Sequence, residues 1–154
     1  MSLEIERKFL VRGDFRPYVT ESVHIVQGYL STDRSRTVRV RTRGSQGFLT
    51  IKGPTDGISR FEWETEIPLS DAQKMLEMCT GVVDKTRNLV PAGDGLVFEV
   101  DEFHGRNEGL VMAEIELSHP EQDFPRPEWL GEEVSHDPRY YNSQLLLHPY
   151  DEWK

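Results

Sequence analysis

Charged and apolar residues alternate at a spacing of two in segment after segment of this chain, which restricts it to strands with one ionic face and one apolar face. Successive side chains of a strand point to opposite sides, so Glu4, Glu6 and Lys8 share one side of the opening segment while Ile5 and Phe9 share the other. Arg39, Arg41 and Arg43 alternate with Val38, Val40 and Thr42, and Glu62, Glu64 and Glu66 with Phe61, Trp63 and Ile67. Lys85 with Arg87, Glu99 with Asp101, and Glu114 with Glu116 repeat the habit. A single strand of this kind fits an ordinary antiparallel sheet with a wet outer face. Many such strands, carrying both signs of charge, fit a closed barrel better. There the charges line a hydrated lumen and the apolar set faces outward beneath helices and loops.

The punctuation of the chain agrees. Candidate strands run over 3–11, 23–31, 36–43, 47–53, 60–67, 82–90, 96–104 and 110–118, separated by Gly- and Pro-rich breaks such as Gly44-Ser45-Gln46-Gly47 and Pro91-Ala92-Gly93-Asp94-Gly95. Short breaks favour antiparallel neighbours. Ser70 followed by Gln73 reads as a capping box opening a helix with the apolar stripe Ala72, Met75, Leu76 and Cys79. A second helix is expected from about Asn142 to His148, and a short one near Pro17 to Thr20. The Pro-rich stretch from Pro120 to Pro127 reads as a crossing loop, and Phe61 and Trp63 as barrel exterior under a helix. The expected fold is α+β, mainly β: one domain over 1–154, an eight-stranded antiparallel closed barrel with a charged lumen and a few covering helices.

Charge distribution narrows the ligand. Residues 1–60 hold 11 Lys+Arg against 6 Asp+Glu, whereas residues 61–154 hold 7 against 21, for a net charge of −9. Such a chain repels nucleic acid at long range, yet its gathered cations suit a compact polyanion. No apolar run approaches the roughly 20 residues of a membrane span, and no secretory segment is visible, so the expected setting is the cytoplasm without membrane or nucleic-acid partners. Cys79 is the only cysteine, which excludes an internal disulfide and multi-cysteine metal sites. The five histidines are scattered without ligand spacing.

The ordered set Glu4-Ile5-Glu6-Arg7-Lys8, Gln27-Gly28-Tyr29-Leu30, Arg39-Val40-Arg41, Thr50-Ile51-Lys52, Glu62-Trp63-Glu64, Lys85-Thr86-Arg87, Phe98-Glu99-Val100-Asp101 and Ala113-Glu114-Ile115-Glu116-Leu117 resembles the CYTH superfamily, or triphosphate tunnel metalloenzymes. Trp129 to Val134 and Arg139 to Ser143 are similar to its short bacterial branch. The resemblance implies a tunnel that binds a small triphosphate with Mg²⁺ or Mn²⁺. In it, Glu4, Glu6 and Glu116 would ligate the metal and Glu114 would hold a water on it. Lys8, Arg39, Arg41, Lys52, Lys85 and Arg87 would clasp phosphate oxygens, with Arg139 within reach of them. Glu62, Glu64 and Asp101 would orient those cations, bind a second metal or position the attacking water. The implied activity is hydrolysis of inorganic tripolyphosphate, with Glu4, Glu6, Lys8, Glu114 and Glu116 at its centre. Class IV adenylyl cyclase, thiamine triphosphatase and a non-catalytic polyphosphate-binding module stay open as alternatives, as does a homodimer.

Chemistry supports the assignment on its own terms. A triphosphate needs several cations, and its divalent metal needs hard oxygen ligands; both sets are present.

Overall fold

The computed structural model describes residues 3–153. Among these residues nine strands form one sheet: β1 (Leu3–Val11), β2 (Glu21–Ser31), β3 (Thr37–Arg43), β4 (Gln46–Asp56), β5 (Ser59–Ile67), β6 (Val83–Gly93), β7 (Leu96–Phe103), β8 (Val111–Glu116) and β9 (Leu130–Glu133). Their order is β5-β4-β3-β2-β6-β7-β8-β1-β9, and β5 also pairs with β1, so eight strands close into an antiparallel barrel. The closing contact is short, with Leu3 opposite Phe61, Glu4 opposite Arg60 and Ile5 opposite Ser59. Farther along, the same edge of β1 is taken by β9 at Phe9 and Val11. β9 lies just beyond the crossing loop expected at 120–127, in a stretch for which no strand was expected, and its backbone satisfies the β1 groups that β5 leaves behind.

Hairpins set the register. Gly93 pairs with Leu96, leaving Asp94 and Gly95 as a two-residue turn with φ of 54° and 78°. Two positive φ values match the right-handed twist of the strands, which is why Asp-Gly serves here.

Among the described residues two α-helices accompany the barrel. α1 (Leu69–Glu77) lies outside, against β3, β4 and β2. It begins two residues earlier than the Ser70 capping box predicts: Pro68 is the N-cap, and no side chain caps the first turn. Ser70 is therefore the second and Gln73 the fifth helical residue, and Pro68 keeps the helix from starting sooner because its ring disfavours helical backbone at Ile67. The helix can approach because Gly47 has no side chain; a Cβ there would stand 2.7 Å from Ala72 Cβ and 3.1 Å from Ile67 O. Gly47→Ala should cost about 1–3 kcal/mol, as overpacking against backbone does. Chemical denaturation would measure it, and an unchanged midpoint would mean the helix seat is looser than its contacts imply. α1 packs chiefly on β3 and β4, and Phe61 and Trp63, expected beneath a helix, are exposed at 45% and 44%. The segment near Pro17 is a single 3-10 turn, Arg16–Tyr18.

Apolar residues form two groups. One lies on the barrel exterior, where Ile5, Phe9, Phe98, Val100, Ala113 and Ile115 meet Phe15, Phe124, Trp129 and Leu130 from the crossing segments. The second lies within the lumen at one end. Along four adjacent strands the inward positions change from charged to apolar: Lys8 gives way to Leu10, Glu114 to Met112, Asp101 to Phe103, and Lys85 to Val83. These apolar residues pack with Leu110, Val134, Tyr140 and Leu145, the last from α2 (Asn142–Leu147). No helix among the described residues is long and apolar enough to cross a membrane.

Candidate active site

The parity of the strands brings the predicted groups to one place. Glu4, Glu6, Lys8, Arg39, Arg41, Lys52, Glu64, Lys85, Arg87, Glu114 and Glu116 all line a single cavity of about 260 Å³ inside the barrel. Two predicted residues do not. Asp101 is buried beneath the wall, and Arg139 is on the outside, 64% exposed in its side chain and 2.6 Å from Asp137. Arg139 stacks near Tyr140 and Trp153. It is the middle residue of the 3-10 turn Pro138–Tyr140, held to the N-cap Asp137, whose side chain accepts from its backbone N–H, so it is corrected from a phosphate ligand to a surface ion pair.

The cations are deep and tethered. Arg87 is held by Asp101 through Nε at 2.8 Å and Nη2 at 2.9 Å, and Lys85 Nζ lies 2.8 Å from the same carboxylate. Two buried cations on one buried anion leave a net positive charge. Burial together with Arg87 pushes the Lys85 ammonium down to about 8, although Asp101 opposes the shift. Arg39 and Arg41 share Glu64 at 3.4 Å and 3.3 Å, and Thr50 donates to the same oxygen. Burial, with Arg39 and Arg87 nearby, lowers Arg41 to about 10. The Nε atoms of Arg39 and Arg41 are buried without a hydrogen-bond partner. Buried donors of this kind are costly unless an acceptor arrives, and a phosphate oxygen is the acceptor that arginine suits.

The carboxylates fall into two groups. Glu4, Glu62 and Glu116 place ligand oxygens within 4.8 Å of one another. Lys52 is 2.9 Å from Glu4 and 3.6 Å from Glu62. Burial and this crowding raise Glu62 and Glu116 above the ordinary carboxylate range, while Glu4 is lowered: burial opposes that shift, and Lys52 outweighs it. Three crowded hard oxygens fit a divalent cation with bonds of about 2.0–2.6 Å, and the cost of their repulsion is what such an ion removes. Deeper in, Glu114 meets Arg87 at 3.5 Å and Lys8 at 3.9 Å. Burial would raise Glu114, but these cations with Lys85 hold it well below its usual range. Burial and the charges of Glu114 and Glu4 push Glu6 well upward, which favours its protonated form beside Glu114. The structure thus joins Glu4 and Glu116 with Glu62, and sets Glu6 and Glu114 against the cations. Glu64 and Asp101 orient cations.

The raised carboxyls carry a pH dependence. Glu6, Glu62 and Glu116 hold protons above their ordinary pKa when no cation is near, and a metal must displace them. Metal affinity should therefore climb as pH rises through and above the ordinary carboxylate range, with protons released on binding. Titration of Mn²⁺ by calorimetry in buffers of different ionisation enthalpy tests this; a flat affinity would mean these groups are already ionised.

Sequence reasoning left several wall residues unassigned. Tyr29 and Arg60 share parity with Gln27 and Glu62, so the spacing of two was signal enough for both. Ser135, Tyr141 and Asn142 come from the irregular terminal segment, where no periodicity announces them. Asn142 Oδ1 accepts from Lys85 Nζ at 2.9 Å and from Gln27 Nε2 at 2.8 Å.

A closed antiparallel barrel with interleaved cations and carboxylates inside defines a polyanion-binding tunnel with a place for a metal. The chain belongs to the CYTH domain family, whose model matches residues 2–141. It is 46% identical to an inorganic triphosphatase of Acetivibrio thermocellus over 156 residues, covering 100% of this chain and 99% of that protein. It is 38% identical to an inorganic triphosphatase of Nitrosomonas europaea, covering 94% and 97%. The crystal structure of an inorganic triphosphatase superposes with a TM-score of 0.68 over 96% of each chain, at 37% identity.

Proposed function

We propose that this protein hydrolyses inorganic triphosphate, tripolyphosphate foremost, to pyrophosphate and phosphate, with nucleoside triphosphates as poorer substrates and Mg²⁺ or Mn²⁺ as the metal. The observation that carries the reading is the sharing of one cavity by the six predicted cations, together with Arg60, and the Glu4, Glu62 and Glu116 cluster. A bound divalent ion would supply charge neutralisation on the phosphate oxygens. Lys8, Arg39, Arg41, Lys52, Lys85 and Arg87 bind and orient the polyanion. The guanidiniums engage oxygens in pairs, and the ammoniums act as point charges. As the terminal P–O bond breaks, negative charge grows on the departing diphosphate, and these fixed cations in a confined space stabilise it without reorganising. A carboxylate of the acidic cluster orients the attacking water in line and accepts its proton.

Cyclisation of ATP needs a wall for adenine, and the aromatic residues lining this cavity are Tyr29 and Tyr141. A panel of tripolyphosphate, ATP and thiamine triphosphate with Mg²⁺ and Mn²⁺, scoring phosphate, pyrophosphate and cyclic AMP separately, decides the matter. Phosphate should appear fastest from tripolyphosphate; cyclic AMP as the main product of ATP would overturn the assignment. The setting is read as cytoplasmic, in keeping with a chain that has one cysteine.

A further inference from the structure

One cation of the cavity stands apart from the rest. Each of the six predicted ones has a carboxylate oxygen within 3.9 Å. Arg60 lines the same cavity and pairs with no carboxylate among the described residues. Glu4, directly opposite it on β1, is engaged by Lys52 at 2.9 Å. Neutral oxygens fix the Arg60 guanidinium instead: Nε donates to Gly53 O and Nη2 to Thr37 Oγ1, both at 3.2 Å. Gly53 lies where the β4–β5 register shifts, between Lys52 and Thr55. These two bonds hold the fork in place and leave its charge uncompensated.

Along β5 the inward positions run Glu64, Glu62, Arg60, at about 7 Å per step. The first step passes from the pair Arg39 and Arg41 to Lys52. Arg60 is the next step outward, past the Glu4, Glu62 and Glu116 cluster, where the exposed Thr55 and Gly57 of the β4–β5 turn line the opening.

We infer that Arg60 is a specificity-determining residue, an outer phosphate subsite that makes the cavity hold a triphosphate in preference to a diphosphate. This rests on the triphosphatase reading and adds how the substrate is told from its own product. A diphosphate is satisfied by the inner cations alone. The third phosphate of tripolyphosphate falls beside Glu62 and Glu116, whose charge opposes it. A guanidinium with no carboxylate of its own offsets that repulsion and offers N–H groups to the phosphate oxygens. Pyrophosphate, one phosphate shorter, forgoes Arg60 and leaves more readily.

The test measures affinity for tripolyphosphate and pyrophosphate by calorimetry in chelator. Arg60→Gln removes the charge, while its amide can still donate to Gly53 O. The native protein should bind tripolyphosphate about tenfold more tightly than pyrophosphate, and Arg60→Gln should lose most of that preference through tripolyphosphate alone. Arg60→Lys keeps the charge and should recover part of it. With Mg²⁺, Arg60→Gln should raise KM for tripolyphosphate about tenfold, leave kcat within about threefold and leave inhibition by pyrophosphate unchanged. No preference in the native protein overturns the inference. So does an equal loss of both affinities in Arg60→Gln, which would make Arg60 a structural tie across the β4 irregularity. Absent phosphate release from the native protein, with the preference in binding intact, defeats the hydrolysis reading and not the subsite.

Discussion

Glu116→Gln is expected to lower metal-dependent turnover about 10²–10³-fold while raising the melting temperature of the metal-free protein. The first effect follows from removing one charged oxygen from a preorganised cluster that acts on developing charge. The second follows from the company Glu116 keeps. Its carboxyl is raised by burial and then by Glu4, Glu62 and Glu99, so without a cation it is held against repulsion. Gln retains the shape and removes the charge. Because Glu116 is exposed, solvent screens the relief to well under 1 kcal/mol; at about 2–4 °C per kcal/mol for a chain of this size, that is a rise of about 1–2 °C. Differential scanning calorimetry with chelator, beside a phosphate-release assay, reads both. A lower melting temperature would make Glu116 structural, and retained turnover would remove it from the site. The opposite signs matter together, since a group kept for function at the expense of the fold is what they diagnose.

Much of this site was legible because a barrel strand converts spacing of two directly into facing. Glu4, Glu6 and Lys8 had to share a face, and so did Arg39 with Arg41; closure then did the rest by bringing those faces together. What parity cannot convey is depth. Nothing in the spacing of Glu62 distinguishes it from Glu64, yet one joins Glu4 and Glu116 and the other tethers two arginines. The difference comes from the stagger that pairs Glu4 with Arg60 and so brings Glu4 beside Glu62. Asp101 was ambiguous for the same reason, since an inward carboxylate can end in the cavity or beneath its floor. The terminal segment was least legible. Arg139 sits among Pro, Tyr and Asn residues without regular spacing, and its direction was decided by a turn. β9 was hidden because its four residues are too few for periodicity, and only the β1 edge left free by β5 gives it a partner.

Asp101→Asn, beneath the cavity wall, should damage the fold and the site together. Asp101 is 1% exposed and accepts from Arg87 twice while meeting Lys85 at 2.8 Å. Burial would raise its pKa, but Arg87 and Lys85 outweigh that and hold it below the usual range. A folded pKa below the unfolded one contributes stability above the unfolded value, near 3.9, and loses it as pH falls through the folded one. At neutral pH the native protein holds that contribution in full. Asn removes the charge and points an N–H donor at two cations, stranding them in a confined site. Breaking a buried pair in this way costs about 3–5 kcal/mol, or a fall of roughly 6–20 °C at 2–4 °C per kcal/mol. Tripolyphosphate can restore part of this, because its oxygens offer Lys85 and Arg87 the negative charge they have lost. The variant should therefore gain more in melting temperature from saturating tripolyphosphate than the native protein does, while KM and kcat both suffer from cations no longer held in place. Equal gains from ligand in both proteins would confine Asp101 to a packing role and separate Lys85 and Arg87 from the bound phosphate.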